Sequence, residues 1–91
     1  MTTEAEQQQI IAQGRDAQAL KSNPALNACL DYTLENLFVQ WMTTGPDDFA
    51  ERDQLYATAQ ALRAFKDSVD SFISTGKLEE SIRNEQLRTN K

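Results

Sequence analysis

The clearest periodicity in the chain lies between Leu55 and Phe72. Leu55, Thr58, Leu62, Phe65, Val69 and Phe72 recur at alternating spacings of three and four. That is the a/d pattern of a helix packing along one seam. Tyr56, Ala59 and Ile73 flank the seam and widen it, while Lys66, Asp67 and Asp70 occupy another face. Gly45 is suited to cap this helix, Pro46 to its first position, and Asp47 and Asp48 to its positive end. Gly76 has the character of a residue just past a helix end. The pattern therefore predicts a helix over 46–75, roughly 43 Å long at 1.5 Å per residue.

A second apolar face precedes it. Leu26, Leu30, Leu34, Leu37 and Trp41 line one side, with Phe38 and Met42 beside them, and Asp31, Glu35 and Gln40 lie elsewhere. Asn23 is a good N-cap and Pro24 fits the first turn, which predicts a helix over 24–43. The short connection through Thr44 to Pro46 makes the two helices antiparallel neighbours. Before them, Thr3 and Glu6 have capping-box spacing and open a helix over 4–20. Its apolar residues are Ile10, Ile11, Ala17 and Leu20, and Gly14 costs it about 1 kcal/mol against alanine. After Gly76, residues 77–91 read as a short charged helix or tail, with Leu78, Ile82 and Leu87 roughly on one side. Glu79 and Arg83 are a favourable pair four apart. No stretch alternates as a strand would. The expected fold is all-α, a single helical domain over 1–91. It consists of a long antiparallel helical hairpin with a short N-terminal helix and a short charged C-terminal segment.

Ninety-one residues build only a modest core. Tyr32, Phe38, Val39, Tyr56 and Phe65 cannot all face one neighbouring helix, so the surplus predicts a homo-oligomer. A monomer whose N-terminal helix folds back into a three-helix bundle is the competing arrangement. The candidate seam, whether core or oligomer contact, is Leu30, Leu37, Trp41, Leu55, Leu62, Phe65, Val69 and Phe72.

Charge adds a direction to this picture. The net charge is −5. Between positions 24 and 60 there are six acids (Asp31, Glu35, Asp47, Asp48, Glu51, Asp53) and one base, Arg52, while the rest of the chain balances. Asp47, Asp48, Glu51, Asp53 and Tyr56 are therefore the candidate contact for a basic partner at the hairpin tip. Helix-dipole compensation accounts for at least two of the same acids. The basic residues Lys77, Arg83, Arg88 and Lys91 are interleaved with Glu79, Glu80 and Glu85, which argues against direct nucleic-acid binding.

Candidate chemistry is sparse. There is no histidine, so the commonest general base and metal ligand is missing. Cys29 is the single cysteine, which excludes an internal disulfide and the usual zinc sites. Glycines 14, 45 and 76 are isolated and form no phosphate loop. Asp31 and Glu35 share a helix face but lack the Glu-x-x-His partners of di-metal bundles. Asp47 to Asp53 lack the ligand order and central glycine of a calcium loop. No catalytic residue, cofactor or metal is expected. The longest apolar run, Leu37-Phe38-Val39, is far short of a membrane span. The polar, acidic start is unlike a secretory signal, so a soluble intracellular protein is expected.

Several runs carry a resemblance. Leu20 with Asn23-Pro24-Ala25-Leu26, Trp41 with Thr43-Thr44, Glu51-Arg52 with Leu55-Tyr56, and Thr75-Gly76-Lys77-Leu78 together resemble a group of small helical proteins encoded by tailed bacteriophages. The resemblance covers about two-thirds of the chain, from Leu20 to Leu78. Its motifs punctuate helices and transfer no functional residue. It implies a phage or prophage origin, residence in the host bacterial cytoplasm or the virion, and a non-enzymatic role in the particle or its assembly. The partner would be a second copy or a larger phage structural protein. The alternative function is a small acidic inhibitor of a basic host protein, acting through the tip. If the seam is correctly placed, Leu62→Asp abolishes helicity or assembly; an unchanged circular dichroism spectrum and solution mass would refute it.

Overall fold

The computed structural model describes residues 2–89. Among them the elements are α1 (Glu4–Lys21), α2 (Pro24–Met42) and α3 (Phe49–Thr89), with no strand. The protein is all-helical, and its long third helix packs against the first. Lys91 of the basic group, and the last two residues of the expected charged tail, lie outside the described residues.

The helix starts follow local chemistry. The Thr3 hydroxyl accepts from the Glu6 N–H at 3.1 Å. The Asn23 side chain accepts from Ala25 and Leu26 at 2.9 and 3.2 Å, with Pro24 next in line. Each cap satisfies N–H groups that have no partner within their own helix.

The start of α3 differs from expectation. Gly45 to Asp48 form a turn instead, closed by the Asp48 N–H donating to the Gly45 carbonyl at 3.2 Å. Proline's fixed φ suits the second position of such a turn as well as it suits a first helical turn. The helix opens three residues later than expected, where the Asp48 carbonyl accepts from the Arg52 N–H at 3.0 Å. The Asp48 carboxylate turns back and accepts from the Gly45 N–H at 2.7 Å.

The end of α3 differs more. The helix does not stop at Gly76 but continues to Thr89, absorbing most of the expected tail. A glycine that ends a helix does so by taking positive φ. No described glycine does so here. Gly76 serves a different purpose: it lets α1 come close. A Cβ built on Gly76 would lie 2.8 Å from the Gly14 Cα, and one built on Gly14 would lie 2.8 Å from the Gly76 Cα and 2.9 Å from the Phe72 carbonyl oxygen. The two backbones touch where both side chains are missing.

Two compact units result, both including part of α3. In the first, α1 packs on the portion of α3 from Ser68 onward. Gln7 meets Glu79, Gly14 meets Gly76 and Lys21 meets Asp70, so the two segments run in opposite directions. Ile11 (5% exposed), Ala17 and Ile73 (8%) are buried around the glycine contact. A fully buried isoleucine contributes about 1.5–3 kcal/mol. Gln7 is also buried, and its amide donates to the Glu79 carboxylate at 3.1 Å. Arg15–Glu80 and Lys21–Asp70, both 2.6 Å, brace the outside. Exposed pairs of this kind add about 0.2–1 kcal/mol each.

The second unit is Asn23–Asp67, comprising α2, the connection and the first part of α3. Leu55 is its one buried apolar side chain, and α2 has no buried residue at all.

The glycine contact gives a direct test. Alanine at either position improves helix propensity by about 1 kcal/mol. It also drives a methyl into backbone, and such overpacking costs about 1–3 kcal/mol. Gly14→Ala and Gly76→Ala are each expected to lower the thermal midpoint by circular dichroism. The double variant should cost less than the sum, because one separation of the helices relieves both clashes. A raised midpoint in either single variant would show that the backbones are not in contact.

Candidate association surface

Residues of the expected seam fall at different depths. Leu55 is buried; Leu30, Leu37, Leu62 and Val69 are half-buried; Trp41, Phe65 and Phe72 are exposed. The difference within α3 is one of helical phase. At 100° per residue, the row Leu55, Leu62, Val69, Gly76 can be completed on either flank. One flank is Thr58, Phe65 and Phe72; the other is Ala59, Lys66, Ile73 and Glu80. In the first unit α1 covers the second flank at Ile73 and meets the row itself at Gly76.

In the second unit α2 and α3 border a shallow groove lined by Leu34, Leu37, Phe38, Trp41, Leu55, Tyr56 and Ala59. Phe38 is 62% exposed and Tyr56 65%. Tyr32, Val39, Met42 and Phe49 are exposed as well. All five side chains judged too many for one neighbour (Tyr32, Phe38, Val39, Tyr56, Phe65) keep a large part of their surface in solvent.

At one end of the groove, the connection is held by a small polar network. The Arg52 guanidinium carbon lies 4.5 Å from the centre of the Trp41 ring. Its Nε donates to the Thr44 hydroxyl at 2.7 Å. That hydroxyl in turn donates to the Trp41 carbonyl at 2.6 Å. Thr43 does the same to Gln40 at 2.8 Å. Each threonine thus gives its carbonyl a second donor, beside its own backbone N–H at 3.2 and 3.1 Å. Arginine ties the start of α3 to that end through both charge and ring contact. The sequence offered a signal for this: the one base in an acidic stretch sits eight residues after Thr44.

The acids expected at the tip are exposed: Asp47, Asp48, Glu51 and Asp53. Asp48 spends its carboxylate on Gly45. No group of three or more acids or cysteines among the described residues is placed to hold a metal ion. Cys29 is exposed on α2. Among the described residues, no helix is long and apolar enough to cross a membrane. Compared with known proteins, the chain matches no family model, no curated protein and no solved structure.

The tip network predicts a measurable coupling. Arg52→Met keeps the length of the side chain but loses the ring contact and the bond to Thr44. It should cost about 0.5–1 kcal/mol of stability for the cation–π contact alone. It should also shift the emission of Trp41, the single tryptophan. Unchanged emission and stability would mean that Arg52 does not rest on the ring.

Proposed function

We propose that this is a non-enzymatic phage structural or assembly protein that works by helix–helix association with copies of itself. In this reading α2 and the first part of α3 form an antiparallel hairpin, and the hairpin's open apolar face is the working surface. The observation that carries the proposal is the exposure of large apolar side chains in the second unit: Phe38 (62%), Tyr56 (65%), Met42 (61%) and Phe49 (67%) all stand largely in solvent, where a lone protein would bury them. The phage assignment rests on the helix-punctuation resemblance alone. A residence in the host cytoplasm or the particle comes with it.

The acidic tip is given a local role here. Asp48 caps the turn, and the remaining tip acids stand at the positive end of α3. Binding of a basic host protein through that tip would need these acids for recognition. Self-association would not.

Light scattering on a sizing column tests this reading at low salt and at about 1 M, where charges are screened beyond about 3 Å. A defined multiple of 10.3 kDa is expected at both. Reversing Asp47, Asp48 and Glu51 together should leave that mass unchanged. A monomer at all concentrations would refute the proposal.

A further inference from the structure

We infer that the groove between α2 and α3 is closed by the same groove of a second copy. The two copies pack face to face, with their hairpin tips at the same end. This rests on the self-association reading above and specifies its surface and geometry.

The argument starts from the two rims. On α2, Asp31, Glu35, Phe38 and Met42 are spaced by four, three and four, so they share one helix face. Phe38 lines the groove, and its rim is therefore acidic. α2 contains no lysine or arginine to offset it. On α3, Arg52, Tyr56, Ala59, Arg63 and Lys66 follow the same kind of spacing. Tyr56 and Ala59 line the groove, and along this row from Arg52 to Lys66 the charged side chains are all basic. The ion pairs found among the described residues are Arg15–Glu80, Lys21–Asp70 and Arg88–Glu85, and none involves either rim. Arg52 is engaged at Trp41 and Thr44. Asp31, Glu35, Arg63 and Lys66 are all exposed.

An apolar floor between an acidic rim and a basic rim is complementary to itself. Two such faces can be related by a two-fold axis in two ways. An axis along the helices lays the α2 of each copy over the α3 of the other, so that acid meets base on both rims. It also keeps both tips at one end. An axis across the helices lays α2 over α2 and α3 over α3, so that acid meets acid and base meets base. Like charges facing each other across an interface are strongly unfavourable. The charges thus select the first arrangement. The floor supplies the affinity, through Phe38 and Tyr56, and the rims supply the register.

The test is a charge exchange read by sedimentation equilibrium, with circular dichroism as a check on folding. Asp31→Lys with Glu35→Lys, and separately Arg63→Glu with Lys66→Glu, should each weaken the dimer by about tenfold or more. The four substitutions together should restore most of the loss. Phe38→Glu, at a side chain already exposed, should dissociate the dimer without loss of helicity. Orientation is read from a spin label at Asp47→Cys in a Cys29→Ser background. Tips at one end give about 20 Å or less between labels, two helix diameters. Tips at opposite ends give about 30 Å or more, the length of twenty helical residues. An oligomer indifferent to all the groove substitutions would overturn this inference and leave self-association standing. Failure of the fourfold variant to recover, or the longer label distance, would overturn the orientation. A monomeric wild-type protein would overturn both readings.

Discussion

Gly14 and Gly76 touch through their backbones, and that contact fixes the rotational setting of α3 against α1. Within that unit Ile73 is turned under α1 and Phe72, one residue earlier on the helix, is left half in solvent. One missing side chain on each helix thus decides which side of this part of α3 is covered.

The two units use different means of holding helices together. In the first, close approach lets Ile11, Ala17 and Ile73 pack tightly around the glycines, with Gln7 satisfied by Glu79. In the second, only Leu55 is buried, and the connection depends on Arg52, Trp41 and Thr44. A cation over a ring and two threonine hydroxyls fix the geometry of a turn, but they bury little apolar surface. The larger part of the second unit's apolar face is available to something outside the chain.

How much of this could be read from the residues depends on how local each cause is. Thr3, Asn23 and Pro24 announce helix starts because a cap is made within three residues of itself. The start of α3 was misplaced by three residues because Gly-Pro-Asp-Asp satisfies the requirements of a turn as well as those of a helix start. Gly76 departs from expectation for a deeper reason. A glycine that ends a helix and a glycine that admits a neighbour are the same letter, and only the position of Gly14 separates them. Phe72 raises a similar ambiguity. Ile73 and Phe72 are neighbours that could each turn inward, and the choice is made by α1, far away in sequence. The opposed rims beside Phe38 and Tyr56 were legible in spacing, but they acquired meaning only once both lined one groove.

The glycine contact also constrains how this protein can drift. Any substitution of a glycine introduces a Cβ. At Gly14 or Gly76 that atom has no room, because what stands in its way is main chain and not a side chain that can rotate aside. Neither position can be explored one mutation at a time without parting the helices. The pair should therefore persist or vanish together in a lineage, as a hinge pin and its socket would.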